Sequence, residues 1–235
     1  MVEIIAEIGI NHNGNEKIAH KMIEAAFSAG ATTVKFQTVD PDACYKPDTE
    51  LYRIFSKCRF GDDVWATLKE HAEQLNMRFL STPSDEGSAN LLDFIGVDRY
   101  KVASDSASNI PLIRYLQSKG KPLIVSTGMS SNDNLEALYE ELDKTKDVIM
   151  HCVSSYPLPT NQANMNRMRQ IKWPKIGYSD HTMSLIPSVM AVANGACIIE
   201  KHFKLNENCI DAPVSFHLND FRKMVAMIRE AEMAL

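Results

Sequence analysis

Basic residues are too few in this chain for a nucleic acid to be its main partner. The 235 residues contain 25 Lys and Arg against 30 Asp and Glu, which gives a formal net charge of −5. A negatively charged molecule is repelled by a phosphate backbone and by anionic lipid headgroups. We therefore expect neither nucleic acid nor a membrane as a partner, and an anionic substrate must be attracted by a local basic site.

Long apolar runs and a secretion signal are also lacking. No run approaches the roughly 18–20 apolar residues of a membrane span. The opening MVEIIAEIGI includes Glu3 and Glu7 but no basic residue, so it is a poor secretion signal. The 5 cysteines form no C-x-x-C pair, and we expect reduced thiols in a cytoplasmic protein.

Short apolar segments alternate with longer amphipathic ones along the chain. The eight predicted strands are 2–9, 32–38, 78–83, 99–104, 122–127, 147–153, 175–180 and 197–203. Segments with helical periodicity separate most of them, for example EKIAHKMIEAAFSAG, which ends in Gly30. Eight strands that alternate with about eight helices predict an α/β fold, a (β/α)8 TIM barrel, with residues 1–235 as a single catalytic domain.

A doubly wound sheet is the rival architecture. Such sheets usually have fewer strands, and no G-x-G-x-x-G motif follows the first strand here. The least regular segment, residues 39–60, follows strand 2 and is a candidate lid over a site.

Polar side chains collect at the carboxyl end of each predicted strand. In chain order they are Glu7, Lys35, Gln37, Ser81, Thr82, Lys101, Ser104, Thr127, Ser154, Tyr156, Ser179, Asp180, His181, Glu200 and His202. In a barrel these ends converge on one mouth, the face where barrel enzymes keep their chemistry. The sequence therefore predicts one polar site at the mouth.

Two histidines in this set, His181 and His202, end the neighbouring strands 7 and 8. Both imidazoles can reach one point above the rim, and two imidazoles with open coordination positions suit a catalytic Mn, Fe, Co or Zn ion. Asp211, in the loop after strand 8, is a further candidate ligand. The alternative is that both histidines are structural.

Two lysines, Lys35 and Lys101, lie inside apolar strand segments, where a routine surface residue is not expected. A buried ammonium group needs an anionic partner. With nearby serine and threonine hydroxyls, the pair would bind a phosphate or a carboxylate. The alternative is that the lysines pair with Glu7 or Glu200 inside the barrel.

Eight motifs at these strand ends resemble those of a known family. They are AEIGINHNG, VKFQT, FLSTP, YKVAS, STGM, CVSSYPLP, GYSDHT and IEKHF, and the match covers residues 3–216. In this order they are similar to the N-acetylneuraminate (sialic acid) synthase family, with its pseudaminic and legionaminic acid relatives. Typical members continue into a small antifreeze-like domain, and the resemblance covers the barrel domain only.

The resemblance implies a metal-dependent transferase that condenses phosphoenolpyruvate with an open-chain amino sugar similar to N-acetylmannosamine. The products would be a sialic-acid-like nonulosonic acid and phosphate. The implied cofactor is a divalent metal ion, Mn²⁺ first, with Mg²⁺ or Co²⁺ as alternatives. The implied partners are phosphoenolpyruvate and an aldose, and a homodimer is considered as the assembly.

The resemblance also implies roles for twelve residues. The catalytic set is Glu7, Lys35, Lys101 and Asp211; the substrate-binding set is Gln37, Thr82, Ser104, Ser154, Tyr156 and Ser179; the metal ligands are His181 and His202. The chain departs from the family pattern at Ser106 and Ser154, where members often carry glutamate and asparagine.

Two other functions stay open at this level. One is condensation with a different aldose or an aldose phosphate, whose second anionic group Arg53, Lys57 and Arg59 could bind. The other is a non-catalytic protein that binds sugar or metal. Ser106 and Ser154 favour this last reading, and the retained histidines and lysines oppose it.

Overall fold

Eight parallel strands form a nearly closed barrel in the computed structural model, which describes residues 1–235. The strands are Glu3–Gly9 (β1), Thr33–Thr38 (β2), Arg78–Pro83 (β3), Tyr100–Val102 (β4), Leu123–Ser126 (β5), Val148–His151 (β6), Ile176–Asp180 (β7) and Ile198–Lys204 (β8), and a short Phe216–His217 (β9) pairs with β8. Their spatial order is β3-β2-β1-β8-β7-β6-β5-β4, so β3 and β4 flank the seam. The predicted TIM barrel is confirmed.

The helices lie between the strands and pack their apolar faces against the outside of the barrel. They are Glu16–Ser28 (α1), Pro41–Cys44 (α2), Glu50–Cys58 (α3), Asp62–Gln74 (α4), Glu86–Phe94 (α5), Ile110–Ser118 (α6), Asn132–Glu141 (α7), Ile186–Ala193 (α8) and Leu218–Met233 (α9). A cluster of 47 buried apolar residues joins the two layers. No helix has the length and apolar character needed to cross a membrane.

The connection after β6 differs from the strand–helix pattern. In place of an α-helix it contains two short 3-10 segments, Thr160–Gln162 and Met165–Gln170. Pro157 and Pro159 precede them, and proline lacks the N–H that a helix interior uses. The prediction of about eight helices therefore holds in number, but not in their distribution.

The interior of the barrel is layered, because successive side chains of a strand point to opposite faces. A lower layer inside the barrel is apolar and consists of Ile5, Leu80, Ile124, Val148, Met150 and Ile198. Two residues further along β1, β5 and β8 stand Glu7, Ser126 and Glu200, which line the mouth. The polar site thus lies directly on an apolar plug that closes the barrel below it.

The segment 39–60 carries α2 and α3 and is held to the loop after β1. The imidazole of His12 stacks on Phe60, with ring centroids 4.4 Å apart. A Cβ atom on Gly14, whose φ is +74°, would stand 2.0 Å from the carbonyl oxygen of Lys57, so the two segments approach as only glycine allows. The C-terminal end of the segment is therefore anchored, and its role as a lid stays a prediction.

Candidate active site

One cavity of about 250 Å³ opens at the carboxyl ends of the strands. It is lined by Glu7, Lys35, Gln37, Thr82, Lys101, Ala103, Ser104, Ser126, Tyr156, Ser179, His181, Glu200, His202 and Asp211. Eleven of the twelve residues predicted for the site are among them. Strands that are far apart in the chain thus bring the predicted side chains together.

Ser154 is the one predicted residue outside this lining. Its hydroxyl oxygen is buried without a hydrogen-bond partner, and a Cβ on Gly128 would stand 2.7 Å from it. Gly128 also donates its N–H to Ser104 Oγ over 3.3 Å. Ser154 therefore lies against the loop after β5, next to the cavity wall.

Lys35, on β2, is buried against two carboxylates, Glu7 on β1 and Glu200 on β8. Its Nζ lies 2.9 Å from Glu7 Oε2 and 3.8 Å from Glu200 Oε2, and it donates to Thr82 Oγ1 over 3.3 Å. Burial lowers the pKa of Lys35, but Glu200 and Glu7 outweigh it, so the pKa is raised. The ammonium group is therefore held in its charged form.

Lys101, on β4, approaches Glu200 from the opposite side of the barrel. Its Nζ lies 3.8 Å from Glu200 Oε1 and donates to Ser126 Oγ over 2.7 Å. Burial lowers the pKa of Lys101. Burial raises the pKa of Glu200, but Lys101 and Lys35 overcome this and hold it at about 2. Glu200 is thus a fixed negative charge between the two lysines.

These contacts match the alternative left open for the two lysines, which was a pairing with Glu7 and Glu200. Glu7 also accepts a hydrogen bond from Gln37 Nε2 over 3.2 Å, and burial raises its pKa. The pairing does not exclude an anion site, because both ammonium groups still line the cavity. A bound anion would share them with the carboxylates.

The imidazoles of His181 and His202 lie side by side at the rim, with ring centroids 5.6 Å apart. His181 Nδ1 lies 2.8 Å from the carbonyl oxygen of Val153, so it carries the hydrogen, and Nε2 keeps its lone pair. His202 Nδ1 is buried without a hydrogen-bond partner. The nearest polar partners of these two nitrogens are distant, because Ser179 Oγ lies 3.4 Å from His181 Nε2 and Asp211 Oδ2 lies 3.5 Å from His202 Nδ1.

Burial and the neighbouring His202 lower the pKa of His181 to about 3. His181 is therefore neutral at pH 7, which is the form that binds a metal ion. No group of three or more His, Cys, Asp or Glu side chains in the chain could hold a metal ion by itself. The donors fit an ion that takes its remaining ligands from water and substrate.

Asp211 approaches the histidines from the loop after β8. Its Oδ2 lies 3.5 Å from His202 Nδ1, and its backbone N–H donates to Asn11 Oδ1 over 2.8 Å. Burial raises the pKa of Asp211, but the neighbouring His202 and Lys35 outweigh it, so the pKa is lowered. The carboxylate is therefore ionised beside the two rings.

Tyr156 covers the outer side of the cavity. Its ring centroid lies 4.2 Å from that of His181, and 56 % of the residue is exposed to solvent. Burial of its hydroxyl raises the pKa of Tyr156. On the inner side, Ser179 donates to Glu200 Oε1 over 2.9 Å.

Ser126 is a site residue that the sequence interpretation missed. Thr127 was named for the end of strand 5, but its hydroxyl donates to the carbonyl of Met150 and it is not in the lining. Ile124 points into the barrel, and Ser126 follows it by two residues, on the same face. The strict alternation of side chains between the two faces of β5 is the sequence signal that would have identified Ser126.

Known proteins resemble this chain over nearly its whole length. The family model described as the NeuB family matches residues 22–235. The N,N'-diacetyllegionaminic acid synthase of Campylobacter jejuni is 33% identical over 99% of this chain and 77% of its own. A pseudaminic acid synthase of the same species is 31% identical over 100% of this chain and 75% of its own.

A solved structure gives the same result at the level of the fold. It is the N-acetylneuraminic acid (sialic acid) synthetase from Leptospira borgpetersenii in complex with citrate. It superposes with a TM-score of 0.93 and 32% identity, over 99% of this chain and 84% of that one. The barrel and the chain order of its strands are therefore shared with a sugar-acid synthase.

Proposed function

Because the chain belongs to the NeuB family and its relatives are sugar-acid synthases, we propose that it condenses phosphoenolpyruvate with an open-chain amino sugar. The acceptor is an N-acetylmannosamine-like aldehyde. The products are a sialic-acid-like nonulosonic acid and inorganic phosphate. The chain is accordingly a metal-dependent transferase.

The observation that carries this proposal is the pair of buried lysines beside two adjacent imidazoles in one cavity. Phosphoenolpyruvate has a phosphate and a carboxylate, and two separate ammonium groups suit two anionic groups. Lys35 and Lys101 are 4% and 2% exposed. Charged side chains are rarely buried so deeply unless a partner or a ligand needs them.

In the proposed reaction the enol carbon of phosphoenolpyruvate forms a bond to the aldehyde carbon of the sugar. Water then adds to the carbon that carries the phosphate, and phosphate leaves with cleavage of the C–O bond. Lys35 and Lys101 pair with the anionic groups, and the hydroxyls of Thr82, Ser104 and Ser179 donate to them. Glu7 and Asp211 contact the sugar, and Tyr156 lines its entrance.

His181 and His202 would hold the divalent cation, and Mn²⁺ is the ion we propose. When bound, it supplies a Lewis acid for the aldehyde oxygen. The hydrogen bond from His181 Nδ1 to Val153 fixes the ring with Nε2 available. All 5 cysteines are free, which supports a cytoplasmic location; a homodimer and the limits of the catalytic domain stay predictions.

The proposal is tested by the release of phosphate from phosphoenolpyruvate. With Mn²⁺ present, we expect release only after an aldose is added, and EDTA should abolish it. His202→Ala should lose bound Mn²⁺ and activity without a change in the far-ultraviolet circular dichroism spectrum. His217→Ala is the matched control, because its side chain is 42% exposed and bonds Glu207 outside the cavity.

If no tested acceptor leads to phosphate release from phosphoenolpyruvate, the proposed function is contradicted and a non-catalytic binding protein is favoured. An unchanged manganese content in His202→Ala would instead contradict the paired-ligand assignment. These two failures are separate measurements.

A further inference from the structure

One residue of the loop after β8 enters the cavity of about 250 Å³ at the mouth of the barrel, which we call the reactive cavity. This residue is Asp211, and the loop comprises residues 205–215. Its carboxylate Oδ2 lies 3.5 Å from His202 Nδ1. Because the aspartate side chain is short, the position of the carboxylate depends on how the backbone of Asp211 is held.

Asn11 holds the backbone of Asp211 from the loop after β1. Its Oδ1 accepts a hydrogen bond from the Asp211 N–H over 2.8 Å. Its Nδ2 donates to the carbonyl oxygen of Phe203 over 2.9 Å and to Ser215 Oγ over 3.0 Å. Both N–H donors and the carbonyl oxygen of the amide are therefore engaged, and all three partners lie on β8 or in the loop that follows it.

Ser215 binds the other backbone group of Asp211. Its hydroxyl donates to the carbonyl oxygen of Asp211 over 2.7 Å, while its oxygen accepts from Asn11. Ser215 is 0% exposed and Asn11 is 3% exposed. The N–H and C=O of Asp211 are thus bonded to two buried side chains that also bond each other, so the three residues form a closed ring of hydrogen bonds.

This ring is attached to the first strand of the barrel. The N–H of Asn11 donates to the carbonyl oxygen of Ile8, in β1, over 2.9 Å. A Cβ on Gly9, whose φ is +54°, would stand 3.1 Å from Glu7 Oε1 and 3.5 Å from Asp211 Oδ2. The loop after β1 therefore passes next to the carboxylate of Asp211 and fixes its place relative to the barrel.

A neighbouring asparagine binds the same loop without reaching the cavity. The side-chain amide of Asn13 donates to the carbonyl oxygen of Asn208 over 2.6 Å, and neither residue lines the reactive cavity. Of these two attachments, only that through Asn11 holds a residue of the cavity. A buried amide needs hydrogen-bond partners, and Asn11 finds one of them in the backbone of Asp211.

We propose that Asn11 and Ser215 are positioning residues, which hold the Asp211 carboxylate beside His202 at the edge of the reactive cavity. The inference rests on the proposed function, in which Asp211 contacts the sugar. Neither Asn11 nor Ser215 lines the cavity, so both act through Asp211. Without them the loop keeps its other attachments, but the carboxylate is no longer held in place.

The first experiment measures phosphate release with phosphoenolpyruvate, Mn²⁺ and N-acetylmannosamine. Asn11→Ala should lower kcat at least about tenfold, since a displacement of about 1 Å in an active site can cost about 100-fold in rate. The KM for phosphoenolpyruvate should change less than about twofold, because Lys35 and Lys101 keep their contacts. Ser215→Ala should lower kcat about three- to fivefold, because Asn11 still holds the N–H of Asp211.

Asn13→Gly is the matched control, since it removes a hydrogen bond to the same loop from a nearby position. The φ of Asn13 is +53°, which glycine adopts without strain. We expect its kcat and KM to stay within about twofold of wild type. If Asn11→Ala does not fold, Ser215→Ala carries the same comparison, because it loses only a hydroxyl group.

A double-variant comparison separates positioning from general support of the loop. The dissociation constant for Mn²⁺ and kcat are measured in wild type, Asn11→Ala, Asp211→Ala and Asn11→Ala/Asp211→Ala. Loss of a group that orients a metal-binding histidine typically costs about 10–100-fold in metal affinity, so each single variant should bind Mn²⁺ at least about tenfold more weakly. The double variant should match Asp211→Ala within about twofold. An equal further loss from Asn11→Ala in both backgrounds is the behaviour of independent sites and would overturn the inference.

Hydrogen exchange followed by NMR tests the contact without metal or substrate. The amide of Asp211 should exchange at least about tenfold faster in Asn11→Ala than in wild type, because its acceptor is lost. It should be unchanged in Asn13→Gly, and an unchanged rate in Asn11→Ala would overturn the inference. Failure of the proposed function has a different signature, because phosphate release is then absent from wild type while faster exchange at Asp211 still supports the positioning role.

Discussion

Lys201 and Asp180 form a buried ion pair directly behind the two histidines. They face each other in the ladder between β7 and β8, and each immediately precedes one histidine in the chain. Both side chains are 0% exposed, with Lys201 Nζ 3.4 Å from Asp180 Oδ2. Their removal therefore tests what stabilises this part of the barrel.

The two side chains of this pair keep different interactions when the other partner is changed. Without Lys201, Asp180 still accepts from the Thr182 N–H over 2.8 Å and from Ser188 Oγ over 2.7 Å. Without the Asp180 charge, Lys201 keeps a bond to the Thr182 carbonyl and a contact to the Phe216 ring, 4.1 Å from its centroid. An isolated buried ammonium group is therefore the worse outcome.

We predict that Asp180→Asn lowers the free energy of unfolding by about 3–5 kcal/mol, the cost of leaving one buried charge unpaired. Lys201→Met should cost about 1–3 kcal/mol, because two hydrogen bonds still satisfy the carboxylate. The double variant should cost less than the sum, since it removes both charges together. Urea unfolding, followed by circular dichroism and by the fluorescence of Trp65 and Trp173, measures all three.

Two results would refute this reasoning. One is additivity of the single changes within about 0.5 kcal/mol, which is the behaviour of independent sites. The other is a larger loss for Lys201→Met than for Asp180→Asn. Ser188→Ala is the control, because it removes one neutral donor to Asp180 and should cost about 1 kcal/mol.

Gly128→Ala should reduce kcat/KM at least tenfold, because its Cβ would stand 2.6 Å from Cys152 Sγ at the cavity wall. Gly61→Ala is the control, because its Cβ would meet only the end of a flexible side chain. Equal activity of the two variants would contradict the steric argument. Glu3→Gln should lower the free energy of unfolding by about 2 kcal/mol at pH 7, because Glu3 accepts from Arg99 Nη1 over 2.7 Å. Burial raises the pKa of Glu3, but Arg99 outweighs it and the pKa lies below 4.5. A carboxyl group whose pKa is lower in the folded state than in the unfolded state stabilises the folded protein at pH values above the unfolded-state pKa. The difference in the free energy of unfolding between wild type and Glu3→Gln should therefore shrink as the pH falls below about 4. A gap that is constant down to pH 3 would contradict this linkage.

The strands were predictable because their signal is local. All eight predicted segments overlap an observed strand, although strand 4 is shortened from 99–104 to Tyr100–Val102 and strand 8 extends one residue further, to Lys204. A turn begins there at residue 104, and the alternation of apolar and polar residues does not predict where such a turn begins. The helix Glu50–Cys58 was missed within the segment 39–60, even though Thr49 caps it through its side chain. That cap, with an amphipathic run behind it, was a usable signal.

The site was predictable as a set of residues and less so as a set of contacts. Period-two alternation indicates which side chains enter the barrel, and it identifies Glu7 and Glu200 as well as Lys35 and Lys101. It does not say which ammonium group meets which carboxylate, because that depends on distances across the barrel. Tertiary geometry alone placed Glu200 between the two lysines, 3.8 Å from each.

The charge of the reactive cavity bears on the order of binding in the proposed reaction. Two lysines and the three carboxylates Glu7, Glu200 and Asp211 line it, so the formal charge of its lysines and carboxylates is 2 − 3 = −1. A substrate with a phosphate and a carboxylate is repelled by a net negative lining, even where single ammonium groups attract it. A divalent cation on the histidines would change that charge to −1 + 2 = +1. In the proposed reaction, an ion held by the two imidazoles would therefore also favour binding of the anion, and the proposed phosphoenolpyruvate site on the two lysines would depend on it.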